Sequence, residues 1–418
     1  MKQLFLTALG ILLAVAALGQ TTPEELQADW NRLGGLYYAY PGPQSVQTPA
    51  PKGYKPFYIS HFGRHGSRWL IDPKGFDNLN DILQEARGKG ILTELGQSVC
   101  DRVAATREDH LYRHGDLSPL GYRQHQEIAT RMYRNFPEVF RGEGHVTAKS
   151  TRVSRVMTSM FAFCSTLKGF NPRLRLEVDA SRRGTDPVSE ITPEARAYRD
   201  SKEFWDLIGQ WRAAHVDPSR LLHSIFTDEA YIASLDGIYF FATLADMAFI
   251  QQNVGNVVDL YDVFTFDELF AAYQYYNLEY YIGKGSWPGK ADIMVSGALP
   301  ILKDIIEKAD IAVGGGDLAA TLRFSHDSYL VPTATILQLD GCRGVEKDLD
   351  LAYMSFAVHK VSPMAGNIQM VFYRSKHGPV LVKFLLNENE VGIPVATDSY
   401  PYYKWDDVRD YYVKCYNL

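Results

Sequence analysis

The chain has 418 residues, 46 % hydrophobic and 22 % charged, with 33 Gly and 20 Pro, a composition that excludes a disordered or collagen-like polymer. Its 43 basic and 49 acidic residues give a formal charge of −6, which excludes a nucleic-acid binder working through a globally basic surface; any anion must meet a local basic site. At about 150 residues per domain the length corresponds to two or three domains' worth of core.

The first residues, Met1-Lys2-Gln3, lead into a mostly apolar run from Leu4 to Leu18 with small residues at Ala17 and Gly19. This reads as an export signal over 1–19, shorter than the ~20 apolar residues of a spanning helix, and places the protein in a periplasm or outside the cell. The apolar stretch Ile238 to Ile250 contains Asp246 and is also too short to span, so no stable membrane association is expected. Cys100, Cys164, Cys342 and Cys415 lie far apart with no Cys-x-x-Cys spacing. They allow up to two disulfides or, equally, buried free thiols.

Residues 20–55, Pro-rich around Tyr40-Pro41-Gly42-Pro43, read as a surface arm. Phe57 to Phe62 is aromatic and β-branched and runs into the glycine-punctuated turn Gly63-Arg64-His65-Gly66-Ser67-Arg68, a strand with its turn at the C-terminal end. Ser118-Pro119 predicts a helix start, with Leu120, Ile128, Ala129 and Met132 on one face until Asn135-Phe136-Pro137. A short strand follows at His145 to Ser150. Val153, Val156, Met157, Met160, Phe161, Cys164 and Leu167 then predict a helix face closed by Gly169. From about Pro187 to Gly314 the periodicity is helical, with candidate caps at Thr227, Asp259 and Thr265. Strands return at 319–325, 368–373 and 380–386.

The fold expected is therefore α/β, an open sheet flanked by helices with its core split in sequence. Residues 56–186 and 315–418 make the core, 187–314 an inserted helical lid, and 73–144 is left open as a partial contributor to that lid.

Arg64-His65-Gly66-Ser67-Arg68 sets two guanidinium forks around one imidazole on a tight turn. Such a group suits binding and attack on a tetrahedral dianion, because arginine forks match phosphate oxygens and a neutral imidazole can carry a phosphoryl group. Arg113-His114-Gly115 repeats the tripeptide but lacks the second arginine and a preceding buried strand, so it is assigned to a surface turn. Lys376-His377-Gly378 reads as a hairpin turn. His326-Asp327 ends the strand at 319–325; there the imidazole can touch a phosphate oxygen and the carboxyl can protonate a departing alkoxide. His61 is assigned to packing rather than to metal binding.

These segments resemble the histidine acid phosphatases, the branch that includes the phytases. Ser118 to Gln124 resembles that superfamily's Thr/Ser-x-x-Gly-x-x-Gln helix start, and in Ser150 to Arg155 the residue Arg155 stands where the family's arginine completes the phosphate pocket. Asn367-Ile368-Gln369, Leu386-Asn387-Glu388 and Tyr280 to Gly285 resemble segments of multiple inositol polyphosphate phosphatases. Two positions depart: His326-Asp327 stands where that inositol phosphatase group has His-Ala-Glu, and Trp69 replaces a proline.

The resemblance implies an exported phosphomonoesterase using a phosphohistidine intermediate on inositol polyphosphates (phytate) or sugar phosphates. His65 would be the nucleophile, Asp327 the general acid, and Arg64, Arg68, Arg155 and His326 the phosphate clamp; no cofactor or metal is expected. Lys74, Arg182 and Arg183 are candidate cations for a second substrate phosphate. The alternatives are a non-enzymatic receptor for phosphorylated sugars or glycans and a phosphoryl-transfer enzyme of the mutase type.

Overall fold

In the computed structural model, which describes residues 21–183, 186–255 and 258–418, the segment read as an export signal lies outside the described residues and Lys55–Arg64 forms the central strand, β1. On one side β1 pairs in parallel with β4 (Leu318–Ser325), β4 with β2 (His145–Ser150), and β2 with β3 (Arg175–Asp179). On the other side it pairs antiparallel with β5 (Asn367–Arg374), followed by β6 (Leu381–Leu386), which carries the short β7 (Asn389–Glu390) and β8 (Tyr402–Lys404). The register sets Arg64 opposite Ser325 and Ser150 opposite Phe324. The parallel strands therefore finish together, at the edge where open α/β sheets bind ligands.

Side chains alternate between the two sheet faces as the pleat requires. Ile59, Val146, Ala148, Leu322, Phe324 and Val371 face helices α4 (Pro119–Asn135) and α5 (Ser154–Phe170), which contribute Ile128, Met132, Val156, Phe163 and Leu167. Tyr58, Phe62, Ile368, Met370 and Phe384 face the opposite layer, which includes α8 (Leu299–Val313), α9 (Asp327–Ile336) and α10 (Trp405–Tyr416). That second core continues into a large helical layer containing α2 (Pro73–Lys89), α3 (Glu94–His110), α6 (Gly237–Val254) and α7 (Phe266–Gly283). Helices α2 and α3 pack on each other and against 219–225 and α6, whereas α8, within the stretch read as a lid, packs on β1 and β4. Among the described residues no helix is long and apolar enough to cross a membrane.

Two readings of the sequence need correction. The supposed surface arm is core over its first part: Leu26 in α1 (Pro23–Ala28) and Leu33 are fully buried, because this segment packs on α6 and α7. In α5 Phe161 is 63 % exposed and Met157 lies at the surface, so the apolar face is narrower than its spacing suggests, and the helix runs through Gly169 to Phe170. Of the two alternatives left open for the cysteines the structure has free thiols, with Cys100, Cys164 and Cys342 buried and Cys415 exposed.

Arg323, in the middle of β4, is fully buried and faces α8. Its Nε donates to Asp304 Oδ2 at 2.7 Å and its Nη1 to Ser60 Oγ at 3.0 Å, which ties β4, β1 and α8 together. Removing one partner of a buried pair strands the other charge, at a cost of about 3–5 kcal/mol, while an apolar replacement of both is close to neutral. Asp304→Ala is therefore expected to lower unfolding free energy by about 3 kcal/mol or more in urea titrations, and Asp304→Leu with Arg323→Met by clearly less.

Candidate active site

The turn after β1 is fixed from three directions. Arg64 N–H donates to Gly366 O at 2.8 Å, His65 N–H to Ser325 O at 3.0 Å, and Ala365 N–H to His65 O at 2.9 Å. The start of α4 grips the next two residues: Ser67 N–H donates to Gln124 Oε1 at 2.9 Å, Gln124 Nε2 to Ser67 Oγ at 2.9 Å, and the Ser118 N–H to Ser67 O at 2.8 Å. Ser67 Oγ donates to Asn253 Oδ1 at 2.7 Å, linking the turn to α6. Gly66 and Gly121 lie face to face, and a Cβ on either would collide with backbone of the opposing segment. The Ser-x-x-Gly-x-x-Gln spacing thus has a packing cause: cap, close approach and clamp lie on one face of the first two turns of α4.

His65 is buried, and its Nδ1 lies 2.9 Å from Gly66 O. A carbonyl only accepts, so Nδ1 carries the proton and a neutral ring leaves its lone pair on Nε2. Burial holds the ring well below the usual histidine range, with Arg64, Arg68, Arg155 and His326 adding to the effect. Arg64 is fully buried; its Nη1 donates to Leu36 O at 2.8 Å and Ser362 O at 2.7 Å, and its Nη2 lies 2.8 Å from Asp327 Oδ2. Arg68 is buried over the Tyr37 ring, with Nη1 donating to Trp69 O at 2.9 Å. Arg155, in the first turn of α5, reaches Gly115 O at 3.4 Å. Arg64 Nε, Arg68 Nε and Arg155 Nε are buried donors with no hydrogen bond to the protein.

His326 caps α9, its ring centroid 5.5 Å from that of His65 and its Nε2 3.1 Å from Thr151 Oγ1. Burial pushes its pKa down to about 4, against the pull of Asp327. Asp327 begins α9, and its Oδ1 accepts from the Tyr280 hydroxyl at 2.7 Å. Burial acts to raise its carboxyl, but Arg64, His65 and the Tyr280 hydroxyl more than offset that and hold it far below the ordinary carboxylate range. The arrangement is a bare imidazole nitrogen among three guanidinium groups, with one carboxylate at its edge. Such a group can bind a phosphoryl dianion and accept it on nitrogen.

The structure brings together Arg64, His65, Arg68, Arg155, His326 and Asp327 and leaves the three candidate outer cations apart. Lys74 is an exposed residue of the first turn of α2. Arg182 and Arg183 lie in the exposed turn after β3, the sheet's edge strand, three strands from β1 and about 14 Å away at the usual interstrand spacing. The repeat Arg113-His114-Gly115 is more than a surface turn: Gly115 is buried, its N–H donates to Leu70 O at 2.8 Å, and its carbonyl faces Arg155. Sequence reasoning missed Tyr280 as a partner of Asp327, although it lies in the Tyr280 to Gly285 segment. It also missed the carbonyls of Leu36 and Ser362, which carry no side-chain signal.

The model of the histidine phosphatase superfamily (branch 2) matches residues 106–387, more than half of the chain and downstream of the His65 turn. Among solved structures, the multiple inositol polyphosphate phosphatase of Bifidobacterium longum, in complex with inositol hexasulfate, aligns with a TM-score of 0.75 at 20 % identity, covering 92 % of this chain and 98 % of that one. The phytase from D. castellii aligns at 0.66 and 15 %, covering 92 % and 84 %. The Hafnia alvei phytase in complex with myo-inositol hexakis sulphate aligns at 0.53 and 12 %, covering 87 % and 98 %. At these identities the likeness is one of fold. No curated protein sequence matches the chain.

Beneath the site, His61 packs on Phe163 and Phe324, and His125 stands edge-on to Phe324. Burial first, with His125 and Arg323 adding for His61, pushes both rings down to about 3. The unfolded chain protonates such rings near 6.5 while the folded one does not, so stability is lost as pH falls from about 6.5 towards 3, by about 1.4 kcal/mol per pH unit for each ring. Urea titrations between pH 6.5 and 4.5 are expected to show this loss, and His125→Phe to make the slope shallower by about 1.4 kcal/mol per pH unit.

Proposed function

This chain belongs to the histidine phosphatase superfamily, branch 2, and is a phosphatase; from that premise we propose that it is an exported phosphomonoester hydrolase that works through phosphohistidine on inositol polyphosphates or sugar phosphates. The observation that carries the mechanism is the His65 tautomer, Nδ1–H on the Gly66 carbonyl and the Nε2 lone pair among Arg64, Arg68 and Arg155. That the Bifidobacterium longum phosphatase and the Hafnia alvei phytase were solved with inositol hexasulfate and hexakis sulphate supports the substrate class.

In the first step His65 Nε2 attacks phosphorus, the N–P bond forms and the ester P–O bond breaks. The unpartnered donors of the three arginines, with His326, hold the equatorial oxygens and offset the charge that develops there. Asp327 takes up the proton that a monoanionic phosphoester brings and passes it to the departing alkoxide. In the second step a water oxygen attacks phosphorus, the N–P bond breaks with its electron pair returning to Nε2, and the water proton passes through the Asp327 carboxylate and leaves with the phosphate.

His65→Ala is expected to abolish release of phosphate from an aryl ester and to abolish the acid-labile, base-stable phosphoprotein trapped by rapid quench, whereas His114→Ala retains both. Activity surviving in His65→Ala would refute the assignment. Asp327→Asn is expected to slow an alkyl phosphate by about 10²- to 10⁴-fold and an activated aryl phosphate far less, because only the poor leaving group needs the proton.

A further inference from the structure

Beside the clamp, with Arg68 in its lining, lies a cavity of about 290 Å³ walled by α2, α6 and the segment 70–72, close to the lower end of the range of small-molecule sites at roughly 300 Å³. Its polar lining is Arg68, Asp72, Tyr239, Thr243 and Asp246, over an apolar floor of Leu70, Phe76 and Met247. The polar groups converge: a point one bond from the Gly75 Cα, facing the cavity, is 3.8 Å from Asp72 Oδ2 and 3.9 Å from the Tyr239 hydroxyl. Asp246 Oδ1 accepts from Tyr276 at 2.8 Å. Tyr37, which also lines the cavity, lies under Arg68, and its hydroxyl is raised by burial and by Asp246, lowered by Arg68, and raised again by Asp327. The cavity therefore shares Arg68 with the clamp.

The lining groups are suited to hydroxyls and not to further phosphates. Arg68 is the one cation among the lining residues, and the transferred phosphoryl group claims it. The N-terminus of α2, which could otherwise attract an anion, is already occupied by Asp72, whose Oδ1 accepts from Lys74 N–H at 3.0 Å. A second phosphate placed here would be desolvated beside two carboxyl groups with no cation of its own. An alcohol hydroxyl would instead donate to Asp72 or Asp246 and accept from Tyr239.

We infer that this cavity seats the alcohol part of the substrate and selects monoesters that carry free hydroxyls beside the reacting phosphate, such as inositol monophosphates and hexose phosphates, over fully phosphorylated inositol. The inference rests on the phosphomonoesterase reading above and narrows its substrate class. It also gives the candidate outer cations no part in specificity, in keeping with their exposed positions.

The test compares kcat/KM of the full chain for an aryl phosphate, an inositol monophosphate and inositol hexakisphosphate, in the wild type, Asp72→Ala and Asp72→Lys. The wild type is expected to favour the monophosphate over the hexakisphosphate by at least about tenfold, one or two hydrogen bonds' worth. Asp72→Ala should reduce the monophosphate to aryl ratio by about tenfold, and Asp72→Lys should move the monophosphate to hexakisphosphate ratio towards the hexakisphosphate by at least that factor. Asp72 lies at the exposed end of the cavity, so both variants spare the core. A wild type that hydrolyses the aryl ester but turns over hexakisphosphate as fast as the monophosphate, or a ratio indifferent to Asp72→Lys, overturns this inference alone. A wild type that hydrolyses none of the three overturns the phosphomonoesterase reading and this inference with it.

Discussion

Arg64 carries a permanent charge at a point with no exposure to water, and the organisation of the site follows from satisfying it. A guanidinium in such a place must be paired and hydrogen-bonded or the fold does not keep it. The partners come from three separated parts of the chain: the Leu36 carbonyl from the N-terminal segment, the Ser362 carbonyl from the loop before β5, and the Asp327 carboxylate from the junction of β4 and α9. One buried side chain thus holds the N-terminal segment, β1, β4 and the C-terminal half in a single arrangement. This explains why residues that look like a surface arm are core: their backbone is needed at Arg64.

The same charge sets the chemistry of its neighbour. Arg68 and Arg155 add positive charge around His65, while Asp327 is the carboxylate in contact with Arg64. The cluster is under-compensated within the protein, and several guanidinium donors lack acceptors. A sequence selected only for stability would not keep such a group; sites where local rules are broken are where function is found. Burial first, with this surplus adding to it, keeps the imidazole neutral, and the Gly66 carbonyl then decides which nitrogen bears the lone pair.

Much of this was legible in the sequence, for identifiable reasons. Strand β1 and the cap at Ser118 carry local signals, an aromatic and β-branched run and Ser-Pro, and the structure has both, together with the strand ending at Ser325. The pentapeptide at 64–68 concentrates its chemistry in adjacent residues, so the clustering of its arginines around His65 needed no tertiary information. Tyr280 was illegible as a partner of Asp327 because its role depends on α7 crossing the start of α9, and nothing in a tyrosine-rich helix marks one hydroxyl among many. Lys74, Arg182 and Arg183 stand at exposed positions, where basic residues near a motif in sequence are commonly found. The turn at 113–115 was underestimated because its contribution is a carbonyl and a left-handed glycine backbone, φ +74°, rather than its histidine.

The structure also constrains how Asp327 can act as an acid. Its carboxyl is pinned by Arg64 at 2.8 Å and by the Tyr280 hydroxyl at 2.7 Å, and Tyr280, raised well above the usual tyrosine range mainly by burial, keeps its own proton and stays a donor. A carboxyl so held favours the anion in the free protein. In the proposed reaction the substrate changes this. A phosphoryl group seated on the Arg64 donors competes for the guanidinium, and its negative charge raises the proton affinity of the carboxyl beside it. A monoanionic phosphoester brings a proton that Asp327 can then accept and pass to the ester oxygen. The acid is assembled by binding and dissolves again when phosphate leaves and Arg64 re-forms its ion pair. On this account the Arg64–Asp327 contact is more than a structural pair: it keeps Asp327 the anion until a phosphoryl group is present to compete for Arg64, which couples proton transfer to occupancy of the clamp.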